Sequence, residues 1–319
     1  IHAKKILKPN TTKVKVTSVS FSGHPVLKKE LLELFPDSVF NSERRTNGLL
    51  DIVEFVRDAD AVILGLEKMD RPILQQLKNL QIIAKFGVGL DNLDVDAAKE
   101  LGIAVGWSGG VNKRSASEQA VGFMLGLCRN LFFSSFLLKQ GRWEKEGGKL
   151  LSGSCVGIIG CGHIGTDVVH LLQPFNCRVM ICDLLDKKGV VDTYGASQVS
   201  LEELLAEADV ISLHVPLTEL TRFMVNDEFL NQMKTSAHLV NNSRGEVVDL
   251  KALKKALQQK TIAGAALDVF ESEPPGDLEF LALPNLMVTP HIGGNANEAV
   301  LAMGRSAIDH LETFFLKKN

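Results

Sequence analysis

Three side chains suited to chemistry on a carbonyl group each follow a predicted apolar strand in the second half of the sequence. Arg244 follows "AHLVNNS", Glu273 follows "IAGAALDVFES" and His291 follows "LMVTP". A guanidinium can bind a carboxylate through two hydrogen bonds and polarise an adjacent carbonyl. A histidine held by a carboxylate can transfer the proton that carbonyl reduction requires near neutral pH. Each residue alone also fits an ordinary role, as a strand-end charge, a turn acid before two prolines or a loop histidine, but their shared placement favours one common site.

A glycine-rich turn, "GIIGCGHIG", lies between a predicted strand and a predicted helix. Its glycines have GxGxxG spacing: Gly160 permits a tight turn, Gly162 lets a pyrophosphate approach the backbone, and Gly165 lets helix and strand pack closely. The N-terminus of the helix would offer its N–H groups and its dipole to the phosphates. Methyltransferases and plain tight turns share this spacing, so the motif alone indicates a dinucleotide only in part.

Asp183 ends the next predicted strand, eighteen residues after Gly165. A carboxylate at this place can accept hydrogen bonds from both ribose hydroxyls, and it repels a 2′-phosphate. The sequence therefore favours NAD over NADP, although Lys187 and Lys188 lie close by and a solvated loop acid is the alternative.

Two further places have open interpretations. Asp268 ends an apolar strand, where an unpaired carboxylate would be costly, so it either caps local backbone or meets the polar end of a cofactor. The stretch "HVPLT" offers Val215, Pro216 and Leu217 as an apolar seat for an adenine, and a structural turn is the other possibility.

From Leu151 onward, short apolar segments alternate with helical ones. Strands that are apolar on both faces and separated by helices indicate a parallel sheet covered on both sides, and right-handed crossovers make it a doubly wound α/β domain. The carboxyl ends of such strands line the ligand crevice. The predicted strands are "CVGIIG", "CRVMICD", "DVISLHVP", "AHLVNN", "IAGAALDV" and "LMVTP", and the predicted helices are Gly165–Leu172, Leu201–Ala206, Asp227–Gln232 and Leu250–Gln258.

The first hundred residues show a weaker alternation that predicts a smaller α/β domain. A long helix is expected over "VNKRSASEQAVGFMLGLCRNL", and a tail helix over Asn295–Phe315. A terminal helix often packs back on the N-terminal domain, so we expect residues 1–110 with 295–319 to form a discontinuous domain and 111–294 to form the cofactor domain. The smaller domain's predicted strands are "VKVTSVS", "DAVILG", "LQIIAKFG" and "GIAVG", and its predicted helices lie near Leu27–Leu34, Gly48–Arg57, Arg71–Leu77 and Val95–Glu100.

Composition excludes several other classes of protein. The net charge of -3 and the scattered basic residues argue against a nucleic-acid-binding face. The five cysteines follow no zinc-ligand spacing, which predicts no metal site and favours a reducing cytosol. No stretch is apolar over the length of a membrane span, and the start "IHAKKILKPN" lacks the apolar core of a secretory signal.

Taken together, these motifs resemble the D-isomer-specific 2-hydroxyacid dehydrogenases over essentially the whole chain, with phosphoglycerate-dehydrogenase-like members the most similar. Several motifs in family order make the resemblance specific. The matching stretches are "KFGVGLDNLDVDAA", "GVNKRSASEQAVGFML", "GIIGCGHIG", "HVPLT", "NNSRGEVVD", "ALDVFESEPP" and "TPHIGG".

The resemblance implies a Rossmann cofactor domain, a flavodoxin-like substrate domain, and hydride transfer between NAD(H) and C2 of a small 2-hydroxy or 2-oxo acid. It implies that Arg244 binds substrate, that His291 is the general acid/base and that Glu273 tunes it. Family members close two domains over the substrate and usually form homodimers through the cofactor domain. Cofactor contacts are expected at Gly160, Gly162, His163, Ile164, Gly165, Asp183, His214, Pro216, Thr218, Asn242, Ser243, Asp268 and Gly294, and substrate contacts at Val88, Gly89, Arg244 and His291.

One departure from the phosphoglycerate dehydrogenases concerns substrate choice. They usually carry an Arg-Ser or Arg-Thr pair after the third strand of the small domain, whereas this chain has "LGLEKMD" with Glu67 and Lys68. The open alternatives are a glyoxylate/hydroxypyruvate or D-lactate-type reductase, and an NAD-responsive corepressor-like binding protein on the same fold. A methyltransferase would leave Arg244, Glu273 and His291 unexplained.

Overall fold

A computed structural model describes residues 11–42 and 52–317 of the chain. It divides into two compact units: one comprises the residues up to Asn112 together with those from Asn295, and the other is Lys113–Gly294. The N-terminal stretch "IHAKKILKPN" and the first four residues of the predicted helix Gly48–Arg57 lie outside the described residues. The functions assigned above to the two domains stay predictions.

The larger unit contains a seven-stranded, wholly parallel sheet with the order β12-β11-β10-β9-β6-β7-β8. Starting from β6, this is the order of a doubly wound dinucleotide-binding sheet, so the predicted fold class is confirmed. The strands are β6 Cys155–Ile159, β7 Arg178–Cys182, β8 Ser197–Gln198, β9 Val210–Leu213, β10 His238–Asn241, β11 Gly264–Leu267 and β12 Leu286–Val288. The helices are α6 Lys113–Cys128, α7 Leu131–Lys139, α8 His163–Leu172, α9 Lys188–Tyr194, α10 Leu201–Glu207, α11 Asp227–Gln232, α12 Leu250–Gln258 and α13 Leu278–Leu281, with 3₁₀ turns at Gln173–Phe175 and Gly245–Val247.

Both faces of the central strands β6, β9 and β11 are buried, which is why these strands are mainly apolar, whereas the edge strand β8 is polar and exposed. Helices α10, α11 and α12 cover one face and α6 with α8 cover the other. Capping side chains fix where the first three begin, because Ser200, Asn226 and Asp249 each accept hydrogen bonds from the first turn of the helix that follows. The covering helices leave the carboxyl ends of the strands as the edge where loops collect.

The smaller unit contains a five-stranded parallel sheet with the flavodoxin-like order β2-β1-β3-β4-β5. The C-terminal helix α14 packs on this sheet, where Met303, Ile308 and Leu311 are buried in its core. The strands are β1 Val14–Val16, β2 Val39–Phe40, β3 Ala61–Leu64, β4 Ile82–Lys85 and β5 Ala104–Gly106. The helices are α1 Val19–Gly23, α2 Pro25–Leu34, α3 Ile52–Val56, α4 Arg71–Leu74, α5 Val95–Glu100 and α14 Asn297–Phe315.

Two element predictions were wrong. The strand predicted over "VKVTSVS" ends at Val16, because Ser18 accepts a hydrogen bond from the Phe21 amide and starts a helix. The long helix predicted from Val111 to Leu131 ends at Cys128, since Asn130 takes the left-handed conformation with φ 53° and a second helix follows. The short elements β8 and α9 were not predicted.

No single helix in the described ranges is long and apolar enough to cross a membrane. The pair α6 and α7 reaches the required length and composition only when taken together, and the two helices are bent by 63° at the break.

Candidate active site

The glycine-rich turn joins β6 to α8, and its three glycines have three different surroundings. Gly160 has φ 86°, and a Cβ there would lie 2.5 Å from the carbonyl oxygen of His214. A Cβ at Gly165 would lie 2.2 Å from the carbonyl oxygen of Gly160, so both glycines are required by close backbone approach. A Cβ at Gly162 would meet nothing within 4 Å. The turn is therefore closely packed at Gly160 and Gly165 (its inside) and open at Gly162 (its outside). Backbone amides at the open side could receive a phosphate.

Helix α8 begins at His163, and its N-cap Gly162 provides no capping side chain. Capping of this helix start is thus left to other groups, which suits an anion at the N-terminus. The side chain of His163 is exposed, whereas Ile164 packs against the core under the helix. Among the predicted cofactor residues in this turn, Ile164 has a structural role as well.

Asp183 follows β7 and its carboxylate is bonded to the glycine-rich turn itself. One oxygen accepts from the Cys161 amide at 2.7 Å and the other from the Leu185 amide at 2.8 Å. Lys187 lies 3.3 Å away. Burial alone would raise the pKa of Asp183, but these two amides and the ammonium outweigh it and lower the pKa below its usual value. The carboxylate is ionised and fixed beside the turn.

The loop after β9 carries three more predicted cofactor residues. His214 donates or accepts at Ser212 Oγ (2.9 Å) through Nε2, while its enclosed Nδ1 has no hydrogen-bond partner among the described residues. Burial lowers the pKa of His214 to about 4, so the ring is neutral. Pro216 and Thr218 are both exposed. Thr221 Oγ1 stabilises the backbone of both residues, because it donates to the Pro216 carbonyl at 2.6 Å and accepts from the Thr218 amide at 2.8 Å.

Arg244 is presented by a turn that Asn241 organises. The buried Asn241 side chain donates to the Arg244 carbonyl at 2.9 Å and accepts from the amide and hydroxyl of Ser243 at 3.0 and 2.8 Å. The next residue, Gly245, packs so closely that a Cβ there would lie 2.0 Å from the carbonyl carbon of Phe270. The Arg244 turn therefore lies against the segment that leads from β11 to Glu273.

Glu273 and His291 form a direct pair. Glu273 Oε2 lies 2.8 Å from His291 Nδ1, and Glu273 Oε1 accepts from the Phe270 amide at 3.1 Å. Both side chains are about one-third exposed, at 39% for His291 and 36% for Glu273. Since Nδ1 faces the carboxylate, Nε2 is the ring nitrogen suited to exchange a proton with a substrate.

Asp268 is the buried centre of the His291 loop and is only 1% exposed. Its Oδ1 accepts from the Ile292 amide at 2.9 Å and its Oδ2 from the Gly293 amide at 2.7 Å. Its carbonyl accepts from the His291 amide at 2.7 Å. Of the two interpretations of Asp268, capping of local backbone describes these contacts, and a contact with the cofactor stays a prediction.

Three residues that sequence analysis missed complete this centre. Gln119 Nε2, on α6, donates to Asp268 Oδ1 at 2.9 Å and to Thr289 Oγ1 at 3.1 Å. Thr289 Oγ1 donates to the same Asp268 oxygen, and Ser115 Oγ donates to the Gly293 carbonyl at 2.6 Å. The signal that could have indicated the first of them is a polar Gln directly before the buried, mainly apolar second half of α6.

Four other residues were predicted to contact the cofactor or the substrate: Asn242, Gly294, Val88 and Gly89. Asn242 is buried and donates to the Ala116 carbonyl at 2.7 Å, and its Oδ1 has no partner among the described residues. Gly294 is half-buried at the end of the larger unit. In the smaller unit, Val88 and Gly89 follow β4, and the Val88 carbonyl accepts from Trp107 Nε1 at 2.9 Å.

Comparison with known proteins identifies the family. Residues 121–293 match the family model described as "D-isomer specific 2-hydroxyacid dehydrogenase, NAD binding domain". Glyoxylate reductase from Pyrococcus furiosus is 37% identical over 273 residues, which cover 82% of this chain and 81% of that protein. The chain belongs to the D-isomer specific 2-hydroxyacid dehydrogenase family. The resemblance inferred from the motifs is thereby confirmed, and so is an oxidoreductase with a Rossmann-type nucleotide-binding unit.

Solved structures of this family agree with the fold over nearly the whole chain. D-lactate dehydrogenase from Aquifex aeolicus, complexed with NAD and lactic acid, is 27% identical with a TM-score of 0.84, covering 96% of this chain and 98% of that one. The NADPH-dependent glyoxylate/hydroxypyruvate reductase from Sinorhizobium meliloti, in complex with NADP and malonate, is 30% identical with a TM-score of 0.81, covering 96% and 94%. Structural relatives thus include both NAD and NADP complexes.

Proposed function

We propose that this dehydrogenase transfers a hydride between NAD(H) and C2 of a small D-2-hydroxy or 2-oxo acid. The observation that supports this most is the Glu273–His291 pair at 2.8 Å, held after β11 and β12 on the same sheet edge as the glycine-rich turn after β6. The open space at Gly162 and the exposed start of α8 fit a bound pyrophosphate, which supports a dinucleotide cofactor in this unit.

Each side chain then has one task. Arg244 binds the substrate carboxylate and polarises the C2 carbonyl. When bound, the nicotinamide supplies the hydride. His291 gives a proton from Nε2 to the oxygen of the reduced carbon, and Glu273 holds and tunes the ring through Nδ1. The backbone amides of Val88 and Gly89, in the smaller unit, are assigned to the substrate carboxylate.

The cofactor in this proposal is NAD(H) and not NADP(H). Asp183 is an ionised carboxylate fixed beside the turn, where it would repel a 2′-phosphate and accept the ribose hydroxyls. Lys187 offsets part of that repulsion. Steady-state kinetics with both reduced cofactors test the choice: we expect a higher kcat/KM with NADH, and an equal or higher value with NADPH would contradict it.

The substrate in this proposal is unphosphorylated, of the glyoxylate, hydroxypyruvate or lactate type. Glu67 stands where phosphoglycerate dehydrogenases place an Arg-Ser or Arg-Thr pair, and Thr17 Oγ1 fixes its carboxylate by donating at 2.6 Å. Lys68, the nearby cation, is paired with Asp70 at 2.8 Å. A dianionic phosphate at this place would therefore be repelled by the Glu67 carboxylate, and the charge of Lys68 would already be balanced by Asp70.

A panel of 2-oxo acids with NADH, followed by the loss of NADH absorbance, tests activity and substrate together. We expect saturable turnover of glyoxylate, hydroxypyruvate or pyruvate, and weak turnover of 3-phosphoglycerate with NAD, which a separate assay follows by the gain of NADH absorbance. Efficient turnover of 3-phosphoglycerate at micromolar concentration would contradict the substrate choice. Absence of all turnover, together with peptide capture in a parallel binding screen, would favour the corepressor-like alternative.

We also propose a homodimer formed through the cofactor unit. Helix α7 exposes more than half of Leu131, Phe132, Phe136 and Leu138, and its phenylalanines line a cavity of about 1290 Å³ beside β12. Clustered apolar side chains of this kind mark association surfaces. Sedimentation of the wild type and of Phe136→Asp tests this: we expect a dimer that the substitution weakens, and a wild-type monomer would contradict it. The cytosolic location expected from the five cysteines stays a prediction.

A further inference from the structure

The backbone of His291 has a conformation that a non-glycine residue rarely adopts. Its φ is 53°, in the left-handed region. A histidine keeps this conformation only where surrounding contacts impose it. Asp268 supplies contacts of this kind, because its carbonyl accepts from the His291 amide and its carboxylate accepts from the amides of Ile292 and Gly293. The direction of the imidazole therefore depends on how firmly the Asp268 carboxylate is held.

One side chain outside the loop holds that carboxylate. Gln119 Nε2 donates to Asp268 Oδ1 at 2.9 Å and to Thr289 Oγ1 at 3.1 Å. Its amide group therefore contacts both Thr289, where the His291 loop begins, and Asp268, which binds the amides of that loop. Because the Asp268 oxygens also carry the Ile292 and Gly293 amides, rotation of the carboxylate would move those amides with it. Asp268 has almost no exposure through which water could replace a lost donor.

The same glutamine reaches the Arg244 side of the site. Gln119 Oε1 lies 3.4 Å from Asn242 Nδ2, and Asn242 comes two residues before Arg244. Asn242 is itself fixed to α6 by its bond to the Ala116 carbonyl at 2.7 Å. A single side chain of α6 is thus in contact with the segment that presents Arg244 and with the segment that presents His291.

We propose that Gln119 is a positioning residue that sets the relative placement of His291 and Arg244. This role rests on the proposed function, since those two side chains matter together only if both act on one substrate. The expected consequence of losing the amide is a misdirected imidazole with an intact cofactor site. Misplacement of a catalytic group by about 1 Å can cost about 10²-fold in rate, so a partial loosening should cost about 10-fold.

The test compares Gln119→Met, which keeps the length of the side chain without its hydrogen bonds, with Glu118→Gln on the exposed face of the same helix. We expect Gln119→Met to lower kcat about 10-fold while the NADH dissociation constant and the melting temperature stay close to those of the wild type. Glu118→Gln should leave all three unchanged. An unchanged kcat in Gln119→Met would overturn the proposal, as would a rise in the NADH dissociation constant that accounts for the whole loss.

A second set of variants keeps the test informative if Gln119→Met folds poorly. Thr289→Val removes the hydroxyl that Gln119 and Asp268 share, and Thr289→Ser retains it. We expect the valine variant to lose kcat and the serine variant to keep it. Equal kcat in the valine and serine variants would overturn the role. A wild type without turnover would overturn the proposed function itself, and only then would both fail together.

Discussion

Two loops on the same sheet edge of the larger unit are built in opposite ways. The glycine-rich turn after β6 is shaped by the absence of side chains, because Cβ atoms at Gly160 and Gly165 would strike backbone at 2.5 and 2.2 Å. The loop after β12 is shaped by side chains, because Asp268 holds its amides and Gln119 holds Asp268. Adding atoms should damage the first loop, and removing polar atoms should damage the second.

The largest effect should follow from removing the proton-transfer group of the second loop. A positioned general acid typically contributes about 10²- to 10⁴-fold to the rate, so His291→Ala should lower kcat for 2-oxo acid reduction by that factor. Because the pyrophosphate of the cofactor is expected at the glycine-rich turn after β6 and not at the loop after β12, NADH affinity should stay near normal. Steady-state kinetics and NADH fluorescence titration measure the two quantities.

His170→Ala is the matched control, because His170 is an exposed histidine on α8 that packs against Tyr194. It should retain wild-type kcat. Near-normal turnover in His291→Ala would show that His291 does not transfer the proton, and the corepressor-like alternative would then lead.

A pair of alanine substitutions distinguishes the inside of the glycine-rich turn from its outside. Gly165→Ala forces a Cβ to within 2.2 Å of the Gly160 carbonyl oxygen, so the free energy of unfolding should fall by about 3 kcal/mol. Gly162→Ala meets open space, and only its backbone angles (φ -83°, ψ -147°) oppose a side chain, so stability should fall less, by about 1 kcal/mol. NADH affinity should nevertheless fall in Gly162→Ala, because the methyl group would occupy the path of the pyrophosphate.

Urea unfolding and NADH titration of both variants measure these effects. Equal losses of stability in the two variants would contradict the division of the turn into a packed inside and an open outside. Unchanged NADH affinity in Gly162→Ala would mean that the pyrophosphate does not approach there.

A smaller effect should appear at acidic pH beside the first loop. The folded pKa of His214 is about 4 and its ordinary value is 6.5, so the unfolded chain binds a proton that the folded chain excludes between those values. The stabilisation from the neutral ring is complete above pH 6.5 and is lost as the pH falls toward 4. Between pH 6.5 and 5 the loss amounts to about 2 kcal/mol at most.

Chemical denaturation at pH 7 and pH 5 checks this in the wild type and in His214→Gln. His238, whose pKa burial also lowers to about 4, should make the wild type acid-sensitive as well, so the difference between the two proteins isolates His214. The variant should lose less stability than the wild type on acidification. An equal loss in both proteins would contradict the enclosed, neutral state of the ring.

The same contrast explains what the sequence could and could not predict. Gly160, Gly162 and Gly165 lie within six residues, so local spacing is enough to predict their turn. Arg244 and His291 could be placed together because carboxyl ends of parallel strands share one edge. The role of Gln119 could not be predicted in this way. It is 149 positions from Asp268, which it contacts, and its place beside Asp268 depends on how α6 packs. Two predicted elements ended early for local reasons that the pattern of apolar residues does not contain. Ser18 caps the start of a helix, and Asn130 adopts the left-handed conformation.

The kcat for 2-oxo acid reduction, measured in the wild type and in Glu273→Gln, tests the catalytic pair most directly. Glu273 Oε2 lies 2.8 Å from His291 Nδ1, so the carboxylate fixes the ring and leaves Nε2 as the nitrogen suited to exchange a proton with a substrate. Glu273→Gln removes this carboxylate and should therefore lower kcat by about 10-fold or more, while NADH affinity stays the same. Glu271→Gln, at an exposed neighbouring position, should keep the wild-type kcat. A wild-type kcat in Glu273→Gln would contradict the assignment of His291 and Glu273 as the proton-transfer pair.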